Sequence, residues 1–114
     1  MSEARQSALE RAHRELAAAA RGVVRGDGNL VAGVRVVVEL GYELNCDLDD
    51  PELRVLAAFD SVTHDVPVTP AERADLDPAL LERVDHETAE LEARWRADVQ
   101  LACQRLVERL EAGV

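Results

Sequence analysis

The sequence predicts an all-α, single-domain protein: a bundle of about four helices whose last helix is long and C-terminal. Three observations lead there. Apolar residues return at spacings of three and four along most of the chain. Three segments open on an acidic or hydroxyl residue followed by proline, the mark of a helix start (Asp50-Pro51, Thr69-Pro70, Asp77-Pro78). Almost nothing is present for a strand to pair with. At 114 residues the chain is one domain, 1–114, able to bury a modest core.

Residues 3–25 read as the first helix. Ser2 is a candidate N-cap, and Leu9, Ala12, Leu16, Ala19 or Ala20, and Val23 share one face. Glu10 and Arg14 stand four apart in the favourable order. Gly26, Asp27 and Gly28 break the helix, and Asn29 is placed to cap the next. Residues 30–44 are ambiguous. The run VRVVVEL has strand-like β-branching, yet Leu30, Val34, Val37 or Val38, Gly41 and Leu44 also fit one helical face. A strand there has only the short segment Asp65 to Thr69 to pair with, and a two-stranded ribbon alone is marginal in water. The helix reading follows.

The third helix begins with Asp49 or Asp50 as cap and Pro51 at its first position, and runs to about Thr63. Thr69, Pro70, Ala71 and Glu72 spell a capping box for one short turn. Asp77 and Pro78 open the final helix. Its apolar face is Val84, Thr88, Leu91, Trp95, Val99, Ala102, Leu106 and Leu110, an eleven-residue return that implies a nearly straight helix. Glu90 with Arg94, and Glu92 with Arg96, are expected on its outer side. At 1.5 Å per residue it spans roughly 50 Å, more than the first helix covers. The surplus predicts a homodimer.

The net charge of −10 belongs to the middle of the chain. Residues 47–90 hold thirteen of the twenty-three acids and three arginines, while the flanking stretches sum to nearly zero. Nucleic acid is excluded as a plausible partner, and a cationic protein partner is indicated. There is no lysine, so neither a side-chain Schiff base nor a P-loop can form. The glycines make no nucleotide-binding pattern, and no cofactor is expected. The N-terminus has no signal-type apolar core and no stretch is apolar enough for a membrane span, so the expected location is cytoplasmic, with Cys46 and Cys103 as reduced thiols.

Three clusters suggest chemistry. Asp47, Asp49, Asp50 and Glu52 have the oxygen ligands of a hard-cation loop but lack the glycine and terminal glutamate of an EF-hand; helix capping and a solvated loop are the plainer reading. Asp60 and His64 fall four apart, a spacing that orients an imidazole, with Ser61, Thr63 and Asp65 close by; a histidine at a helix C-terminus is the plainer reading. His86 lies between Glu82 and Glu90, but Arg83 stands where a di-metal motif needs glutamate, which leaves a solvated stripe. With Trp95, Tyr42 and Phe59 as the whole aromatic content, no base-stacking surface exists.

The stretch DDPELRVLAAFDSVTHDVP, with Arg73 and ALLERVDHETAELEA following, resembles small helical bacterial proteins of uncharacterised function, some of them immunity-type proteins that neutralise a toxin. The resemblance implies a binding role and brings no catalytic motif. The leading expectation is therefore a non-enzymatic acidic module docking a cationic protein through Asp47, Asp49, Asp50, Asp60, His64, Asp65 and Asp75. The alternatives are a metal-dependent hydrolase built on Asp60, His64 and the 47–52 carboxylates, and a structural or regulatory homodimer. The first reading requires that the acidic excess face outward and not be matched by the protein's own guanidinium groups.

Overall fold

The computed structural model describes residues 3–44 and 50–112. Among the described residues there are five helices: α1 (Glu3–Arg25), α2 (Leu30–Glu43), α3 (Pro51–Val62), α4 (Pro70–Ala74) and α5 (Pro78–Ala112). No strand occurs among the described residues. The valine-rich run is part of α2, whose Leu30, Val31, Val34, Val37, Val38 and Gly41 are all buried. Valine is unfavourable in a helix by a few tenths of a kcal/mol. Burying one side chain contributes about 1.5–3 kcal/mol, so tertiary packing decides the matter.

The starts follow their predicted chemistry. Asn29 accepts from the Ala32 N–H at 3.0 Å. Asp50, rather than Asp49, is the N-cap of α3: its Oδ1 accepts from the N–H groups of Glu52 and Leu53 at 3.0 and 3.2 Å. The Glu72 N–H donates to Thr69 Oγ1, and Glu72 accepts from the Thr69 N–H, both at 3.1 Å, closing the capping box. Between α1 and α2 the chain turns through Gly26 (φ 77°) and Gly28 (φ 64°), a left-handed backbone that a β-carbon would strain.

Neighbouring helices run antiparallel. Gln100 of α5 donates to the Val23 carbonyl of α1 at 3.3 Å, and Arg21 pairs with Glu111. These contacts set the C-terminal half of α1 along the C-terminal third of α5. α2 returns along α1; a β-carbon at Gly33 would stand 3.1 Å from Val23. α3 reverses again, with Gly41 of α2 letting Leu53 equally close. α3 then lies along α5, where the Phe59 and Trp95 rings meet at 5.9 Å and 51°. The order around the core is α2, α1, α5, α3, with Leu16, Leu56, Phe59 and Leu106 fully buried at its centre.

Several faces are wider or shorter than the spacing alone implies. On α5, Cys103 and Val107 join Thr88, Val99, Ala102 and Leu106 in the interior. On α1 the buried stripe is Leu16, Ala17, Ala20 and Val23, whereas Leu9 on the same face is exposed. Glu92 pairs with Arg96 at 3.1 Å as expected, but Glu90 takes His86 at 3.2 Å in place of Arg94. The long axis of the molecule, 54 Å, is close to the length of the 35-residue α5.

Candidate interaction surface

The acidic residues of the middle divide by where the helices put them. At the start of α3, Asp50 and Glu52 meet Arg109 from the last turns of α5; Arg109 Nη1 donates to Glu52 Oε2 at 2.9 Å, and Nη2 contacts Asp50. Burial pushes the Asp50 carboxyl up. The Leu53 N–H and the Arg109 guanidinium outweigh it and hold the carboxyl below its ordinary value. These two carboxylates therefore fasten α3 to α5. Asp47, Asp49 and Cys46 lie outside the described residues.

At the other end of α3, Asp60 does not align with His64. The helix stops at Val62, and His64 sits beyond it, exposed. Asp60 instead faces Arg35 of α2 at 3.7 Å. Arg35 also donates to the Thr63 carbonyl at 2.9 Å, placing a positive charge on the carbonyl end of α3. The helix-terminal role foreseen for His64 is thus filled by Arg35. Thr63 buries its hydroxyl by donating to the Phe59 carbonyl at 2.8 Å. Asp50 and Asp60 are ten residues apart on one helix, about 15 Å at 1.5 Å per residue, so one ion cannot bind both. Among the described residues no three His, Cys, Asp or Glu side chains gather closely enough to hold a metal ion.

The remaining acids lie on α4, its flanking loops and the first turns of α5. Residues 64–90 carry eight acids and two arginines, a charge of −6. Neither α4 nor α5 from Pro78 to Glu87 has a buried side chain. This part of α5 continues past the level where Gln100 meets the end of α1, and it forms one tip of the long molecule. Arg73 of α4 grips Asp85 of α5 with two hydrogen bonds at 2.9 and 2.8 Å, which lowers the Asp85 carboxyl and raises the Arg73 guanidinium from their ordinary values. Asp77 caps α5, accepting weakly from the Ala79 N–H at 3.4 Å. Asp65, Asp75, Glu82 and Glu87 are exposed and form no ion pair with another described residue.

Of the residues singled out in the sequence, then, Asp50 and Asp60 serve the fold, at opposite ends of α3. Asp65, Asp75 and His64 are open to solvent. The tip adds Glu82 and Glu87, which belong to the same acidic stretch. The arginines that neutralise Asp50 and Asp60 come from 59 and 25 positions away in sequence, a distance at which no helical spacing rule applies.

The apolar cleft between α2 and α3, lined by Val38, Tyr42, Leu53, Arg54 and Ala57, holds about 90 Å³. That is well below the roughly 300 Å³ at which small-molecule sites begin. Among the described residues no helix is long and apolar enough to cross a membrane. Comparison of the chain with protein-family models, with curated proteins and with solved structures gives no match.

Proposed function

We propose that this chain is a non-enzymatic binding module that docks a positively charged protein surface on its acidic tip. One observation carries the reading. α4 and the first ten residues of α5 bury no side chain, yet they and their flanking loops concentrate a charge of −5. Carboxylates that neither pack nor pair contribute little to the fold. Clustered at one end of the molecule, they attract a cationic surface over roughly a Debye length, about 8 Å at physiological salt. The surface is Asp65, Asp75, Glu82 and Glu87, with His64 beside them.

Affinity capture on the immobilised full chain tests this. The expected result is a basic protein held at low salt, released as salt rises, and lost from the D65N/D75N/E82Q/E87Q variant. A control variant, E39Q/E43Q/D98N/E108Q, makes the same change in net charge elsewhere and should retain it. Equal retention by both variants, equal loss from both, or no basic protein retained would overturn the proposal.

A further inference from the structure

The end opposite the acidic tip is built differently. From Glu3 to Glu15, α1 has no buried side chain. Its apolar stripe nevertheless continues through this stretch: Leu16, Ala20 and Val23 are covered by the rest of the chain, while Leu9 and Ala12 extend the same face outward. Leu9 is 43% exposed. Ala12 and His13 are only partly covered, and the rest of this stretch is exposed. Beside this ridge lies an open trough between α1 and α5, about 450 Å³, lined by Glu10, His13, Arg14, Ala17, Arg21, Leu110 and Glu111.

We infer that two copies of the chain associate here about a two-fold axis, with Leu9 of each seated in the trough of the other. Ridge and trough occupy the same end of one chain, and an isologous pair uses both twice. An antiparallel meeting of the two α1 helices near Ala12 and His13 brings Leu9 level with Ala17 of the second copy. It also sets Arg14 within reach of the second copy's Glu10. Charge favours self-pairing at this end: residues 3–15 hold three arginines and three glutamates. The acidic tip, by contrast, repels its own kind. Joining the neutral ends places the two acidic tips at opposite extremes of the dimer and leaves both open. The inference does not rest on what the tip binds.

Sedimentation equilibrium of the full chain, from micromolar to hundred-micromolar concentration, reads it directly. The expected wild-type species has twice the 12.5 kDa chain mass. Leu9→Glu, at an exposed site, should keep its helical circular dichroism and dimerise at least about tenfold more weakly, since a carboxylate would be buried without a partner. Leu80→Glu, at the acidic tip, should dimerise as wild type. A wild-type chain that stays monomeric throughout, a Leu9→Glu chain that dimerises undiminished, or a Leu80→Glu chain that loses the dimer would each overturn the inference.

Discussion

Replacing Asp50 with alanine is expected to destabilise the fold by about 1.5 kcal/mol. Two interactions are lost. The carboxylate caps α3 through two backbone N–H groups, at 3.0 and 3.2 Å, and removing such a cap costs about 1 kcal/mol. It is also one of two carboxylates on Arg109, whose side chain is 46% exposed; a solvent-screened pair of this kind contributes about 0.5 kcal/mol. At this chain length 1.5 kcal/mol lowers the midpoint by about 6 °C. Urea unfolding followed by circular dichroism measures it. Asp50→Asn separates the two terms, because asparagine caps as well as aspartate and only the charge is removed; it should lose about 0.5 kcal/mol. The sign with pH follows from the lowered carboxyl. Its contribution is present above the unfolded value near 4 and is lost as pH falls through the lower folded value. The gap between wild type and Asp50→Asn should therefore narrow below about pH 4. An alanine variant within about 0.3 kcal/mol of wild type, or an asparagine variant as damaged as the alanine one, would refute the capping argument.

Three further outcomes are expected. Phe59→Ala removes a fully buried ring that touches Trp95 and should cost about 3–5 kcal/mol, with a red shift of Trp95 emission; a loss under about 1.5 kcal/mol would contradict the central place given to this ring. Burial raises the Cys103 thiol to about 12, so in a Cys46→Ser background it should resist thiol reagents at neutral pH until the chain unfolds; rapid labelling of the native protein would show the site to be open. The same shift predicts a contribution to stability present below the ordinary thiol value of 9.0 and lost as pH rises toward 12. Asp85→Asn releases the Arg73 fork and should speed tryptic cleavage after Arg73 without moving the global unfolding midpoint; an unchanged cleavage rate would show that α4 is held by something else.

The elements were legible because their boundaries are chemical. Asn29, Asp50, Pro51, Thr69, Glu72 and Pro78 mark helix starts by local hydrogen bonding, and local rules need only neighbouring residues. α2 was harder because its valines favour a strand by propensity, and only the lack of strand partners favours a helix. The limits of the faces were not legible. Leu9 continues the periodicity of α1 but is left exposed, and a repeat in one helix carries no information about how far its neighbours cover it. The acidic surface was half visible. Asp65 and Asp75 are open as the composition suggests, whereas Asp50 and Asp60 are taken by Arg109 and Arg35 across the fold.

That division means that a local charge count does not measure the charge available to a partner. Substituting Asp65, Asp75, Glu82 and Glu87 with their amides reduces the net charge by four. Substituting Asp50, Glu52, Asp60 and Asp85 does the same. The first set consists of solvated groups without ion pairs among the described residues, so its removal should leave the unfolding midpoint nearly unchanged and reduce long-range attraction at the tip. The second set would leave Arg35, Arg73 and Arg109 without their carboxylates and unfasten α3 from α2 and α5. If attraction to a basic surface depended on net charge alone, the two variants would lose association rate equally at low salt. If it depends on where the charge stands, the first loses rate at unchanged stability, and the second loses stability first.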